Sequence, residues 1–245
     1  MKNKRMILTI ILSLFVLLLI YSFYHIYNIV NDEEVTEKII NEVKDNIVID
    51  YSTISDDEDI LENEENEYLE RNFEKLKDIN DDTIGWIYVD GTNIDYPIVQ
   101  GEDNDYYLNH SFYRESNSNG WIYMNYKNSS DFSDQNTIIY GHNTNGRTMF
   151  SDLKKIYDRE LDSKNIKIYL EDDILTYQIF SIYLVDSNDS LSISKYVSDI
   201  SINEFIKRSK IDFNIDVNDD DKILTLSTCH NVTDKRIIVH AKLIR

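Results

Sequence analysis

The sequence predicts a mainly β fold, either a closed barrel or a sandwich of about eight strands. Two observations lead there. From Ile84 to the C-terminus, short apolar and β-branched runs recur between turn residues, and only two short stretches carry helical periodicity instead. The chain has 245 residues, and once about thirty are set aside as an anchor and its flank, the remainder suits one domain with a substantial core.

The expected organisation has three parts: 1–30 a basic flank and transmembrane anchor, 31–80 an acidic helical linker, and 81–245 the β domain. Lys2, Lys4 and Arg5 precede an apolar run from Met6 to Tyr24, which continues through Ile26, Ile29 and Val30 without a formal charge. At about 1.5 Å per residue this run is long enough to cross a hydrocarbon core of about 30 Å. The basic flank stays in the cytoplasm, so the rest of the chain faces outward. A cleaved signal peptide is the alternative, but such a peptide wants small residues at its cut site, and the chain's one alanine is Ala241. Beyond the anchor, Val35, Ile39, Ile40 and Val43 mark one apolar face of a short helix. Asp56 to Glu67 is a carboxylate run, and Tyr68, Leu69, Phe73, Leu76 and Ile79 mark a second helix.

The strands follow in order. Ile84–Val89 leads through an Asp90-Gly91 turn into Ile94–Val99, which Pro97 confines to an edge or bulge. Gly120–Met124, Thr137–Gly141, Ile166–Leu170, Ile174–Val185, Ile223–Thr228 and Arg236–Ile244 complete the set. Met149, Phe150, Leu153, Ile156 and Tyr157 share a helical face, and a capping box at Ser201-Ile202-Asn203-Glu204 opens a helix over Ser201–Ser209. That helix is placed to wall a cleft leading to the cysteine.

Several function classes are disfavoured. A formal charge of −20 argues against a nucleic-acid partner. No metal site is expected, because one cysteine and no H-E-x-x-H or C-x-x-C leave the zinc spacings unfilled. Phosphate-cradling glycine loops are absent, so no cofactor is expected.

What remains is the cysteine itself. Ile223-Leu224-Thr225-Leu226-Ser227-Thr228-Cys229 is an apolar run ending on the chain's single thiol, and a second run starts at Arg236. Outside the cell an unpaired cysteine cannot form a disulfide within its own chain, and keeping one suggests that the thiol is used. If the two runs form an antiparallel hairpin, Cys229 and Arg236 lie nearly opposite each other. A fixed guanidinium there would stabilise an oxyanion, and Ser227, on the same strand face, would offer a substrate hydrogen bond. A thiol nucleophile also wants a histidine partner. His25 lies in the membrane flank, His230 faces away by parity, His240 is about 13 Å along the strand from Arg236, and His110 sits in an acidic aromatic segment. His142 ends the strand run Thr137-Ile138-Ile139-Tyr140-Gly141 and opens a polar loop, where scaffolds present functional side chains.

Together, Tyr140-Gly141-His142, Thr225-Leu226-Ser227-Thr228-Cys229 and Arg236-Ile237-Ile238-Val239-His240-Ala241-Lys242 resemble a class B sortase of a Gram-positive bacterium. The resemblance extends over about Ile84 to Arg245, including Tyr96-Pro97-Ile98-Val99-Gln100, Tyr107-Leu108-Asn109 and Asn136-Thr137-Ile138-Ile139-Tyr140. It implies a sortase-type closed β-barrel with N-terminal helices and a helix before the cysteine strand. It also implies a membrane-anchored cysteine transpeptidase with an extracellular catalytic domain. Cys229 would attack the Thr carbonyl of a C-terminal sorting signal, forming a thioester, with His142 as acid and base and Arg236 holding substrate and oxyanion. A lipid-linked peptidoglycan precursor amine would resolve the thioester, joining the surface protein to the cell wall. A pilin lysine amine is the alternative acceptor, and a non-catalytic surface-binding module is the other reading. Ser227, Tyr140 and Asn109 match positions lining the family's substrate groove. The loop from His230 to Lys235 is shorter than the family's and has no acidic residue directly after the cysteine.

Overall fold

In a computed structural model of the chain, residues 2–45, 73–144, 146–160, 164–186, 202–230 and 235–244 are described. Eight strands close a barrel in the order β1-β2-β3-β4-β7-β8-β6-β5. They are β1 (Thr83–Val89), β2 (Asp95–Val99), β3 (Tyr123–Met124), β4 (Asn136–Tyr140), β5 (Asn165–Tyr169), β6 (Ile174–Asp186), β7 (Ile223–His230) and β8 (Lys235–Leu243). The barrel alternative is therefore the one realised, and closure leaves no long unpaired edge. Pro97 is not at a free edge. It lies opposite Trp86 on β1, and on its other side β2 meets β3 through a single residue pair, Val99 and Tyr123. A residue with no N–H is tolerated beside so short a ladder.

Most pairings are antiparallel, but β4 and β7 run parallel, with Tyr140 opposite Ser227. Alternation along these strands divides the apolar residues between two clusters. Ile139, Leu224, Leu226, Ile237, Val239 and Ala241 belong to the main core. Ile138, Ile223 and Ile238 belong instead to a second cluster with Ile202 and Phe205 of helix α4 (Ile202–Arg208). That helix matches the one expected before the cysteine strand; Ser201 of its capping box lies outside the described residues. The helix expected from Met149 onward is shorter, α3 (Leu153–Tyr157), because Met149 itself has a positive φ of 54° and precedes the first helical turn.

At the N-terminus, the apolar run and the first helix expected beyond it form one continuous helix, α1 (Lys2–Asp45). Its apolar stretch from Met6 to Val30 is exposed along almost its whole length, and it is long and apolar enough to cross a membrane. Further along, Thr36, Ile39, Ile40 and Val43 are buried, a spacing of i, i+3, i+4 and i+7 that turns one face onto the barrel. A second helix, α2, covers 73–79 and buries Phe73 and Leu76. The expected contacts of Tyr68 and Leu69, and the carboxylate run 56–67, lie outside the described residues.

Under α4 sits a buried polar chain. The Thr225 hydroxyl donates to Asn136 Oδ1 at 2.7 Å, so it accepts from His240 Nδ1 at 2.9 Å. His240 Nε2 is left to accept from the Tyr183 hydroxyl at 2.8 Å, and Phe205 stacks on the imidazole at 3.8 Å between ring centroids. The ring is fully buried and neutral, and desolvation pushes its pKa down to about 3 from 6.5. Below pH 6.5 the unfolded chain binds a proton here that the folded chain refuses, so stability is lost as pH falls from 6.5 towards 3. Between pH 7 and pH 5 this site alone should remove about 2 kcal/mol. Urea unfolding of the detergent-solubilised chain at the two pH values measures the loss. The pH slope should flatten in His240→Gln, and an equal slope in that variant would remove His240 as its source.

Candidate active site

The site is built from the ends of three neighbouring strands. Because β4 and β7 are parallel, both finish at the same end of the barrel, and antiparallel β8 begins there. Tyr140 pairs with Ser227, so position 142, two residues past Tyr140, is level with position 229, two residues past Ser227. Cys229 pairs in turn with Arg236 across β7 and β8. At about 4.8 Å between strands, the backbone segments that carry these three residues reach the same rim of the barrel. The Gly141 amide extends the β4–β7 ladder by donating to the Ser227 carbonyl at 3.2 Å.

The row of residues approaching this end shares a face. Thr225 and Ser227 on β7 stand opposite Ile138 and Tyr140 on β4, and opposite His240 and Ile238 on β8. The same row carries the α4 cluster further down, so α4 walls the far end of the face, and the near end belongs to Tyr140, Ser227 and Arg236. Ser227 is 2% exposed, and its hydroxyl has no hydrogen-bond partner among the described residues. The Arg236 Nε is likewise buried and without a partner among them, although the residue as a whole is half-buried. Buried polar groups without partners are costly in a finished core, and two of them near one end of the β7–β8 pair suit a site that receives a polar chain. Tyr140 stacks on Tyr123 with centroids 5.1 Å apart, and its hydroxyl accepts from Asn125 Nδ2 at 3.0 Å. Burial raises the pKa of the phenol, against the opposing pull of the Asn125 hydrogen bond and the Arg236 charge.

His142 is oriented by the backbone. Its Nε2 lies 2.8 Å from the carbonyl of Leu108, at the end of a 3-10 turn over Tyr106–Leu108. A carbonyl can only accept, so Nε2 carries the proton and Nδ1 is the nitrogen left to exchange one. Gly120 fits against that turn: it has φ of 56°, and a Cβ there would lie against Tyr107 O and 2.7 Å from Leu108 O. The Trp121 amide donates to Tyr107 O at 2.9 Å, and the Asn117 amide donates to Asn109 O at 2.9 Å. Asn109 is exposed beside this turn, adjacent to Leu108 in sequence. The Leu108 carbonyl was not foreseen from sequence, since any residue can supply one.

Gly141 is the second residue whose role the sequence did not disclose. A Cβ there would run into the Ile122 side chain and lie 2.8 Å from Phe150 Cγ, and both neighbours are fully buried. The strand reaches His142 only because this position has no side chain.

The described residues hold no cluster of His, Cys, Asp and Glu able to bind a metal ion. The chain matches the Sortase domain family model over residues 87–244. It is 29% identical to Sortase B of Staphylococcus aureus over 254 aligned positions, covering all of this chain and 99% of that one. Among solved structures it resembles Clostridium perfringens Sortase B, with TM-score 0.65, 36% identity and coverage of 71% of this chain and 100% of that one. It also resembles a Streptococcus pyogenes class B sortase involved in pilus biogenesis, with TM-score 0.63, 33% identity and coverage of 70% and 97%.

Gly141→Ala should therefore destabilise the barrel by about 1–3 kcal/mol through overpacking. Urea unfolding of the detergent-solubilised chain measures it. An unchanged midpoint would mean that Phe150 and Ile122 move aside freely.

Proposed function

This chain belongs to the sortase family, as a class B member and a cysteine transpeptidase, and from that premise we propose the roles of its residues and its substrates. Cys229 attacks the carbonyl carbon of Thr in a C-terminal sorting signal, and Arg236 holds the resulting oxyanion. The His142 imidazolium gives its Nδ1 proton to the departing amine, which leaves a thioester on the sulfur. Neutral Nδ1 then takes a proton from the incoming amine as that amine displaces the thiolate. Ser227 and Tyr140 contact the peptide, and Asn109 lies at the rim. The observation that supports this reading is the register of β4, β7 and β8: Tyr140 faces Ser227, each two residues short of positions 142 and 229, and Cys229 faces Arg236.

The acceptor is an amine of a lipid-linked peptidoglycan precursor, so the product is a surface protein fixed to the cell wall. The apolar part of α1 anchors the enzyme in the membrane, with its basic flank inside and its barrel outside. A pilin lysine as acceptor is the second reading, favoured by the likeness to a sortase involved in pilus biogenesis. Offering both amines to the acyl-enzyme and weighing the products separates the two.

With a fluorogenic sorting peptide and an amine acceptor, Cys229→Ala should abolish cleavage and transfer together; turnover retained in that variant would refute the assignment. Arg236→Ala should lower turnover by about 10²–10³. Arg236→Lys should not restore it, because a lysine lacks the fixed planar fork.

A further inference from the structure

The geometry points to α1 as a rigid strut that holds the catalytic opening at one height above the lipid surface, so that the enzyme acts preferentially on peptides tethered to the same membrane. This rests on the reading of α1 as an anchor and of the 142–229–236 row as the catalytic centre.

Four observations carry it. First, Lys2–Asp45 is one helix containing neither glycine nor proline, so no hinge residue separates the apolar stretch from the part that docks on the barrel. Second, docking begins at once. Asp32, two residues or about 3 Å beyond Val30, accepts from the Ser118 amide at 3.0 Å and from its hydroxyl at 2.7 Å. One turn on, the buried Thr36 Oγ1 meets Asn117 Nδ2 at 3.0 Å and Asn119 Nδ2 at 3.1 Å.

Third, these docking loops are the ones that hold the site. Asn117 donates through its amide to Asn109 O, next to the Leu108 carbonyl that orients His142. On the other side, a Cβ on Gly146, four residues after His142, would lie 3.8 Å from Glu33 Cγ and Cδ. The segment packed against the Leu108 turn thus bonds to the helix within its first turn past the apolar stretch, and the loop after His142 passes close to it at Gly146. Fourth, rotation is blocked further up, where Ile39, Ile40 and Val43 are buried in the main core and Lys44 pairs with Asp95 at 2.9 Å. A chain of net charge −20 has no electrostatic attraction to an anionic lipid surface, so the strut must supply the proximity.

The test uses the full chain in liposomes and a sorting-signal peptide with a scissile Thr bond, supplied either free or attached to a lipid in the same vesicles through a short spacer. Seven helix-forming residues inserted after Val30 lift the barrel by about 10 Å and turn it by only about 20°. Free-peptide turnover should be unchanged. Turnover of the short-spacer lipid peptide should fall about tenfold or more, because a tether that cannot span the gap contributes almost no effective concentration. Lengthening the spacer by about four extended residues, or about 13 Å, should restore it. An insertion that leaves the short-spacer rate intact, or a longer spacer that fails to rescue it, overturns the strut. Absence of the wild-type chain from the vesicles overturns it by removing the anchor, and absence of free-peptide cleavage overturns it by removing the catalytic assignment; each shows in its own arm.

Discussion

The parallel pairing of β4 with β7 is the constraint on which the rest of the molecule depends. Two parallel strands finish at the same edge, and an antiparallel third strand beside them must start there. Had β4 run antiparallel to β7, its end, with His142, would lie at the opposite rim from Cys229 and Arg236. The parallel arrangement requires a long crossover, and the chain spends β5, β6 and α4 on it. Those elements also close the barrel and wall the far end of the face that carries Ser227 and Tyr140.

Alignment of strands brings the backbones level; orientation of the histidine needs more. The irregular segment between β2 and β4 supplies it. Tyr107 is buried, with its hydroxyl donating to Asp82 at 2.5 Å and meeting Asn80 Nδ2 at 3.0 Å, and Trp121 Nε1 donates to the Pro97 carbonyl at 3.0 Å. These contacts fix the 3-10 turn whose final carbonyl meets His142. Among the described residues, the Ser227 hydroxyl and the Arg236 Nε are left without hydrogen-bond partners.

Much of this was legible in the sequence. The eight strand runs fell within a few residues of the observed elements, because alternating apolar residues and turn signals act locally. The pairing of Cys229 with Arg236 followed from a short loop between two β-branched runs. The closure of the barrel and the parallel β4–β7 pair were not readable from periodicity, since they depend on which distant strands meet. The Gly120–Met124 run contributes only Tyr123–Met124 to the sheet, because Gly120 is taken up by the tight approach to Tyr107. The Leu108 carbonyl and the space around Gly141 escaped for a related reason: a backbone acceptor and an absent Cβ have no sequence signature of their own. Hydropathy changes near residue 30 while helix propensity does not, and α1 runs through that point without a break.

The acyl-transfer mechanism requires that the imidazole of His142 and the sulfur of Cys229 act as one unit. The most direct measurement is the rate of Cys229 alkylation against pH in the full chain and in His142→Ala. The proposed pairing predicts that removing the imidazole displaces the wild-type profile, because coupled ionisable groups titrate together. Identical profiles in the two proteins, each matching a free thiol, would contradict it.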